Sequence, residues 1–89
     1  MATGQATINF GSRSTDTSVA VSAPSVIAGT LVEAWIFPAA TATNTVDNHW
    51  VEDMSVVAGN VVAGVGFTIY GISRLGNISG QFMVHWAWV

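Results

Sequence analysis

The stretch Phe82-Met83-Val84-His85-Trp86-Ala87-Trp88-Val89 is apolar on both faces of any strand it can form. Successive strand side chains point to opposite sides, so Phe82, Val84, Trp86 and Trp88 share one face while Met83, Ala87 and Val89 share the other. Such a strand needs cover on two sides, and a chain of 89 residues has little else with which to provide it. The expectation is a buried contact between subunits, carried by Phe82, Val84, Trp86, Trp88 and Val89.

Composition points the same way. A single β domain over residues 1–89 is expected, and a domain of this size buries only about 60% of its unfolded surface. Small domains often compensate with disulfides, metals or oligomerisation, and the chain has no cysteine. Hydrophobic residues make up 51% and charged residues only 8%, against roughly 25% in ordinary soluble domains, which favours oligomerisation. There is no lysine, and Arg13 and Arg74 face five acidic residues for a formal charge of −3, so nucleic acid finds no electrostatic footprint. The first residues lack the basic and apolar regions of a secretory signal, so synthesis in a cytoplasm is expected. Residues 54–72 carry no formal charge, yet their glycines and alternating β-branched residues read as two strands and a turn, not as a membrane span.

Almost every periodic segment has period two, which predicts an all-β chain: a small antiparallel β-sandwich or jelly-roll-like barrel of six to eight short strands, oligomeric. Residues 6–10 form a first strand, within an amino-terminal arm or edge strand over residues 1–10 that is free to add itself to a second protein. Residues 18–22 alternate and stop before Pro24. After a turn at Ala28-Gly29, residues 30–37 form a strand with Leu31, Glu33, Trp35 and Phe37 on one face and Val32, Ala34 and Ile36 on the other. The small-residue loop from Ala39 to Thr45 is the expected exposed surface. Strands over 49–57 and 61–65 are expected to join through a Gly59-Asn60 hairpin turn, followed by a strand over 66–72. A loop over residues 73–77 leads into the closing strand.

The ionisable residues that deserve testing are Glu33, Asp47, His49, Glu52, Asp53 and His85. Asp47 and His49, two apart and on one side of a strand, have the donor types of two metal ligands, but no spacing matches a metal motif. A polar network of Glu33, Asp47, His49 and His85 is the expected arrangement, with no metal and no cofactor. There is no cysteine nucleophile, no G-x-S-x-G elbow and no phosphate-binding glycine loop, and adjacent Glu52 and Asp53 point to opposite faces of a strand. No enzymatic activity is expected. Four tryptophans, Trp35, Trp50, Trp86 and Trp88, are an excess for this length. Indoles stack on sugars, so a recognition surface of Thr41, Thr43, Asn44 and Trp50 directed at a host glycan is the alternative to a purely structural role. Asn77-Ile78-Ser79 matches an N-glycosylation pattern, an accidental match in a cytoplasmic product.

Five stretches together carry a resemblance: Ala6-Thr7-Ile8-Asn9-Phe10-Gly11, Leu31-Val32-Glu33-Ala34-Trp35, Asp47-Asn48-His49, Ala63-Gly64-Val65-Gly66-Phe67-Thr68-Ile69-Tyr70 and Gly80-Gln81-Phe82-Met83-Val84-His85-Trp86-Ala87-Trp88. The pattern resembles small structural proteins of tailed bacteriophages. It implies a virion component, in the tail or decorating the capsid, built as a symmetric homo-oligomer, with a trimer favoured, among other virion proteins. It carries no active site with it.

Overall fold

The computed structural model describes residues 2–27, 29–74 and 76–88, with only the backbone of Val51. The expected turn at Ala28, the loop position Leu75 and the interface residue Val89 fall outside the described residues. Six strands and one short helix follow in order: β1 Ala2–Asn9, β2 Asp16–Ser22, β3 Val32–Ile36, α1 Val46–Val51, β4 Met54–Val62, β5 Gly66–Ser73 and β6 Gln81–Trp88. The chain is all-β in class, with two three-stranded antiparallel sheets ordered β1-β6-β3 and β2-β5-β4.

β6 is a central strand, and its register explains why it tolerates so much bulk. On its inner face Trp88 lies between Ala2 and Val32, Trp86 between Gly4 and Ala34, Val84 between Ala6 and Ile36, and Phe82 beside Ile8. Large residues on β6 alternate with small ones on β1, so each indole has room to lie across its neighbour. At Gly4 that room is essential, because a Cβ there would fall 2.7 Å from Cε2 of Trp86.

The core lies between the two sheets. Ile8, Phe82 and Val84 from one meet Phe67 and Ile69 from the other, with Phe10, Ala23 and Val26 closing the ends. Phe82 packs edge-on to Phe10, with centroids 5.9 Å apart, and Phe67 packs edge-on to Trp86 at 5.2 Å. Each fully buried aliphatic or aromatic side chain contributes about 1.5–3 kcal/mol.

These placements correct several expectations. Phe82 and Val84 are 1% and 0% exposed within one chain, so they belong to its own core and have no surface left for a neighbouring subunit. Trp86 and Trp88 are half-buried and pack against the same core. Of the two readings of the amino-terminal segment, the edge strand holds and the free arm does not, because β1 lies at the edge of its sheet and all of it pairs with β6 of its own chain. The Gly59-Asn60 turn does not form. Both residues lie inside β4, where Asn60 takes φ 51° at a register shift between Gly59 and Val62. The reversal comes later, where the Val65 N–H donates to the Val62 carbonyl at 3.0 Å and Gly64 takes φ 78°. Gly-Asn fits a bulge as well as a turn, since both need one residue at positive φ.

The remaining correction concerns residues 46–51. Period-two reading expects a strand there, but Thr45 and Asn48 form a capping box: the Asn48 N–H donates to Thr45 Oγ1 at 3.3 Å, and the Thr45 N–H donates to Asn48 Oδ1 at 2.8 Å. With Asp47 in the first turn beside the exposed N–H groups, the local chemistry favours a helix start.

Candidate functional site

β3 ends at Ile36, opposite Val84, so the first three residues of β6, Gln81 to Met83, run on past it, and the following segment takes over that unpaired edge of β6. The Phe37 N–H donates to the Met83 carbonyl at 3.0 Å. The Met83 N–H donates to Nε2 of His49 at 2.9 Å. Further along, the Gln81 N–H donates to Thr43 Oγ1 at 2.8 Å, and the Gln81 carbonyl accepts from Thr41 Oγ1 and Asn44 Nδ2, each at 2.9 Å. Asn44 Nδ2 also reaches the Ser79 carbonyl at 3.1 Å. Residues 41–49 therefore act as a strand made of side chains.

This arrangement fixes the state of His49. Its Nε2 accepts a backbone N–H and so carries no proton, which leaves the proton on Nδ1, where it is donated to the Thr45 carbonyl at 2.8 Å. The ring is buried, edge-on to Phe82 at 5.0 Å. His49 is a neutral pin between α1 and β6.

The expected polar network is not assembled. Glu33 and Asp47 are exposed, His49 bonds only to backbone, and His85 sits on the outer face of the first sheet. Asp47 and His49 lie on a helix, where residues two apart do not face each other, which removes the pairing expected of a strand. Among the described residues, no group of three His, Cys, Asp or Glu side chains is placed to hold a metal ion. The recognition surface is likewise rearranged. Thr41, Thr43 and Asn44 have their polar groups engaged with β6, and of the four residues expected there Trp50, at 72% exposure, is the one that presents a large free surface.

An aromatic patch lies on the outer face of β1-β6-β3. There Gln5, His85 and Trp35 form one row and Thr3, Ala87 and Glu33 the next. The His85 ring stacks on Phe37 with centroids 3.9 Å apart and planes 17° from parallel, and Trp35 flanks it at 6.0 Å. Trp35 and Phe37 remain 41% and 36% exposed. Among the described residues, Nε2 of His85 is shielded from solvent without a hydrogen-bond partner, as are the indole nitrogens of Trp86 and Trp88. An unpaired buried polar group costs about 1–3 kcal/mol, so the last four residues of β6 are where a single chain leaves its polar groups least satisfied.

Chemically this patch offers dispersion, stacking and one imidazole, with no nucleophile and base placed together. The alternation of residues 31–37 already groups Leu31, Trp35 and Phe37, but nothing in the sequence says which face of β3 points outward. Comparison with protein-family models, with curated proteins and with solved structures gives no match to this chain.

Proposed function

We propose that this chain is a non-enzymatic structural subunit, a small antiparallel β-sandwich that associates with further copies of itself through the outer face of β1-β6-β3. The observation that carries this reading is the exposed Trp35 and Phe37 pair against the His85 ring, whose Nε2 has no partner among the described residues. Apolar patches of this kind, rimmed by polar residues such as Thr3, Gln5 and Glu33, mark protein contacts. The low charge of the chain removes the repulsion that keeps monomers apart. A symmetric ring, with a trimer favoured, lets each copy cover its neighbour's patch. Together with the resemblance to structural proteins of tailed bacteriophages, this supports a role in a virion, as a tail component or a capsid decoration, beside other virion proteins.

Light scattering coupled to size exclusion tests it. The wild type is expected to run as an oligomer at micromolar concentration, and Trp35→Ser combined with Phe37→Ser to dissociate at least about tenfold more readily, the effect of losing 1.4 kcal/mol or more of central aromatic contact. A wild type that stays monomeric at tens of micromolar sinks the proposal.

One observation favours a second reading. Trp50 projects from α1 with 72% of its surface exposed, which suits contact with a host receptor or glycan. That reading predicts that Trp50→Ala abolishes attachment of the assembled particle while leaving the oligomer intact. Unchanged attachment removes it.

A further inference from the structure

The outer face of the second sheet carries a cleft of about 590 Å³ lined by Asp16, Thr17, Ser18, Val57, Tyr70 and Ile72, with Gly71 between the last two. From this cleft we infer a saccharide-binding site, separate from the self-association face and from Trp50. Two adjacent cross-strand rows build it, Ser18–Tyr70–Val57 and Asp16–Ile72–Ser55. Tyr70 stands between Ser18 and Val57 in the first of these rows. Its Cε2 comes within 3.8 Å of the position a Gly59 Cβ would occupy, so the ring rests toward a residue without a side chain and keeps 38% of its surface exposed.

The chemistry of the lining selects the ligand class. Tyr70, Ile72 and Val57 supply an aromatic and aliphatic floor, with Ile72 and Val57 at 48% and 56% exposure. Along one edge stand the Asp16 carboxylate and the Ser18 hydroxyl. Among the described residues neither side chain has a hydrogen-bond or ion-pair partner, whereas the Thr17 hydroxyl is already bonded to the Asn9 carbonyl at 2.7 Å. A ligand that fits has one face of C–H groups to lie on the ring and a rim of hydroxyl donors to meet a carboxylate. A pyranose has both. An anionic ligand such as a phosphate is opposed by Asp16, the one charged group in the cleft, and a purely apolar ligand leaves Asp16 and Ser18 uncovered. The volume lies within the range of small-ligand sites and suits one or two sugar rings.

Saturation-transfer NMR on the assembled wild-type protein tests this, with glucose, galactose, mannose, N-acetylglucosamine and N-acetylgalactosamine, singly and as disaccharides, and tetramethylammonium as a cationic control. At least one neutral sugar is expected to receive saturation, strongest at its ring C–H protons. Tyr70→Ala and Asp16→Asn are each expected to weaken that binding about tenfold or more, while Tyr70→Phe, which keeps the platform, retains most of it. Both cleft residues are exposed, so the variants fold, and near-ultraviolet circular dichroism confirms it. The inference is overturned if no sugar binds the wild type, if only tetramethylammonium does, or if binding survives Tyr70→Ala and Asp16→Asn together.

Discussion

Replacing His49 by alanine is expected to lower the unfolding free energy by about 3–4 kcal/mol, a large part of the roughly 5–10 kcal/mol available to a domain of this size. Three losses combine. The Met83 N–H on β6 loses its acceptor at 2.9 Å, and an orphaned backbone donor costs about 1–3 kcal/mol. The Thr45 carbonyl loses its bond from Nδ1, which loosens the first turn of α1. The ring also leaves a void beside Phe82, and truncating a buried ring to alanine costs about 3 kcal/mol or more when the site cannot collapse. The three share a structural cause, so they do not simply add. Urea unfolding followed by tryptophan fluorescence measures the sum. His85→Ala is the control: that ring lies on the outer face without a hydrogen bond at Nε2, and its loss is expected to cost under about 1 kcal/mol. If the two histidines cost the same, the side-chain edge formed by residues 41–49 does not hold β6 in place. A further check needs no mutation. Nitrogen-15 spectra should find His49 as the tautomer protonated at Nδ1, and a proton on Nε2 contradicts the bond to Met83.

The all-β class and most strand positions could be read from period-two alternation, because the pleat separates neighbouring side chains whatever the tertiary context. The inside and the outside could not. Residues 82, 84, 86 and 88 form one set and 83, 85 and 87 the other, and bulk alone placed the first set at a subunit contact. Register decides otherwise, since Ile8 and Ala6 on β1 and Ile36 on β3 pair with Phe82 and Val84 and draw that face into the core. Register is a long-range property with no local signature. The helix was missed for a different reason. Its start signals, Thr45 and Asn48, are legible as a cap, but six residues are too few to show a helical period against apolar neighbours on both sides. The site followed these two errors. A strand reading makes His49 face Asp47, and a Thr-rich segment implies exposure for Thr41, Thr43 and Asn44, whereas their hydroxyls and amide substitute for the strand that β3 does not supply. Trp50 and the Trp35 and Phe37 face were nameable from sequence; that His85 stacks between the latter two was not.

The second large effect is expected at Gly66, where alanine should cost about 4 kcal/mol, most of the stability of a domain that holds only about 5 kcal/mol. Gly66 opens β5 with φ 153°, a conformation L residues rarely adopt, opposite Ser22 of β2 and Val62 of β4. A Cβ there is driven into the Val21 carbonyl oxygen and comes within 2.9 Å of the Ala23 nitrogen, both backbone atoms that no rotamer change can move aside. To relieve the contact, β2 must separate from β5 or slide along it. Sliding by one residue sends Phe67 and Ile69 from the core to the solvent face and brings Thr68 and Tyr70 inward, so partial accommodation is as costly as the clash. Gly64, two residues earlier, isolates the steric part. It also has positive φ, 78°, but nothing lies within 4 Å of its missing Cβ, so Gly64→Ala should cost only the backbone term of about 1–2 kcal/mol. A difference of at least about 2 kcal/mol between the two variants in chemical denaturation is the expected result, and equal losses contradict the close approach of β2 to the start of β5.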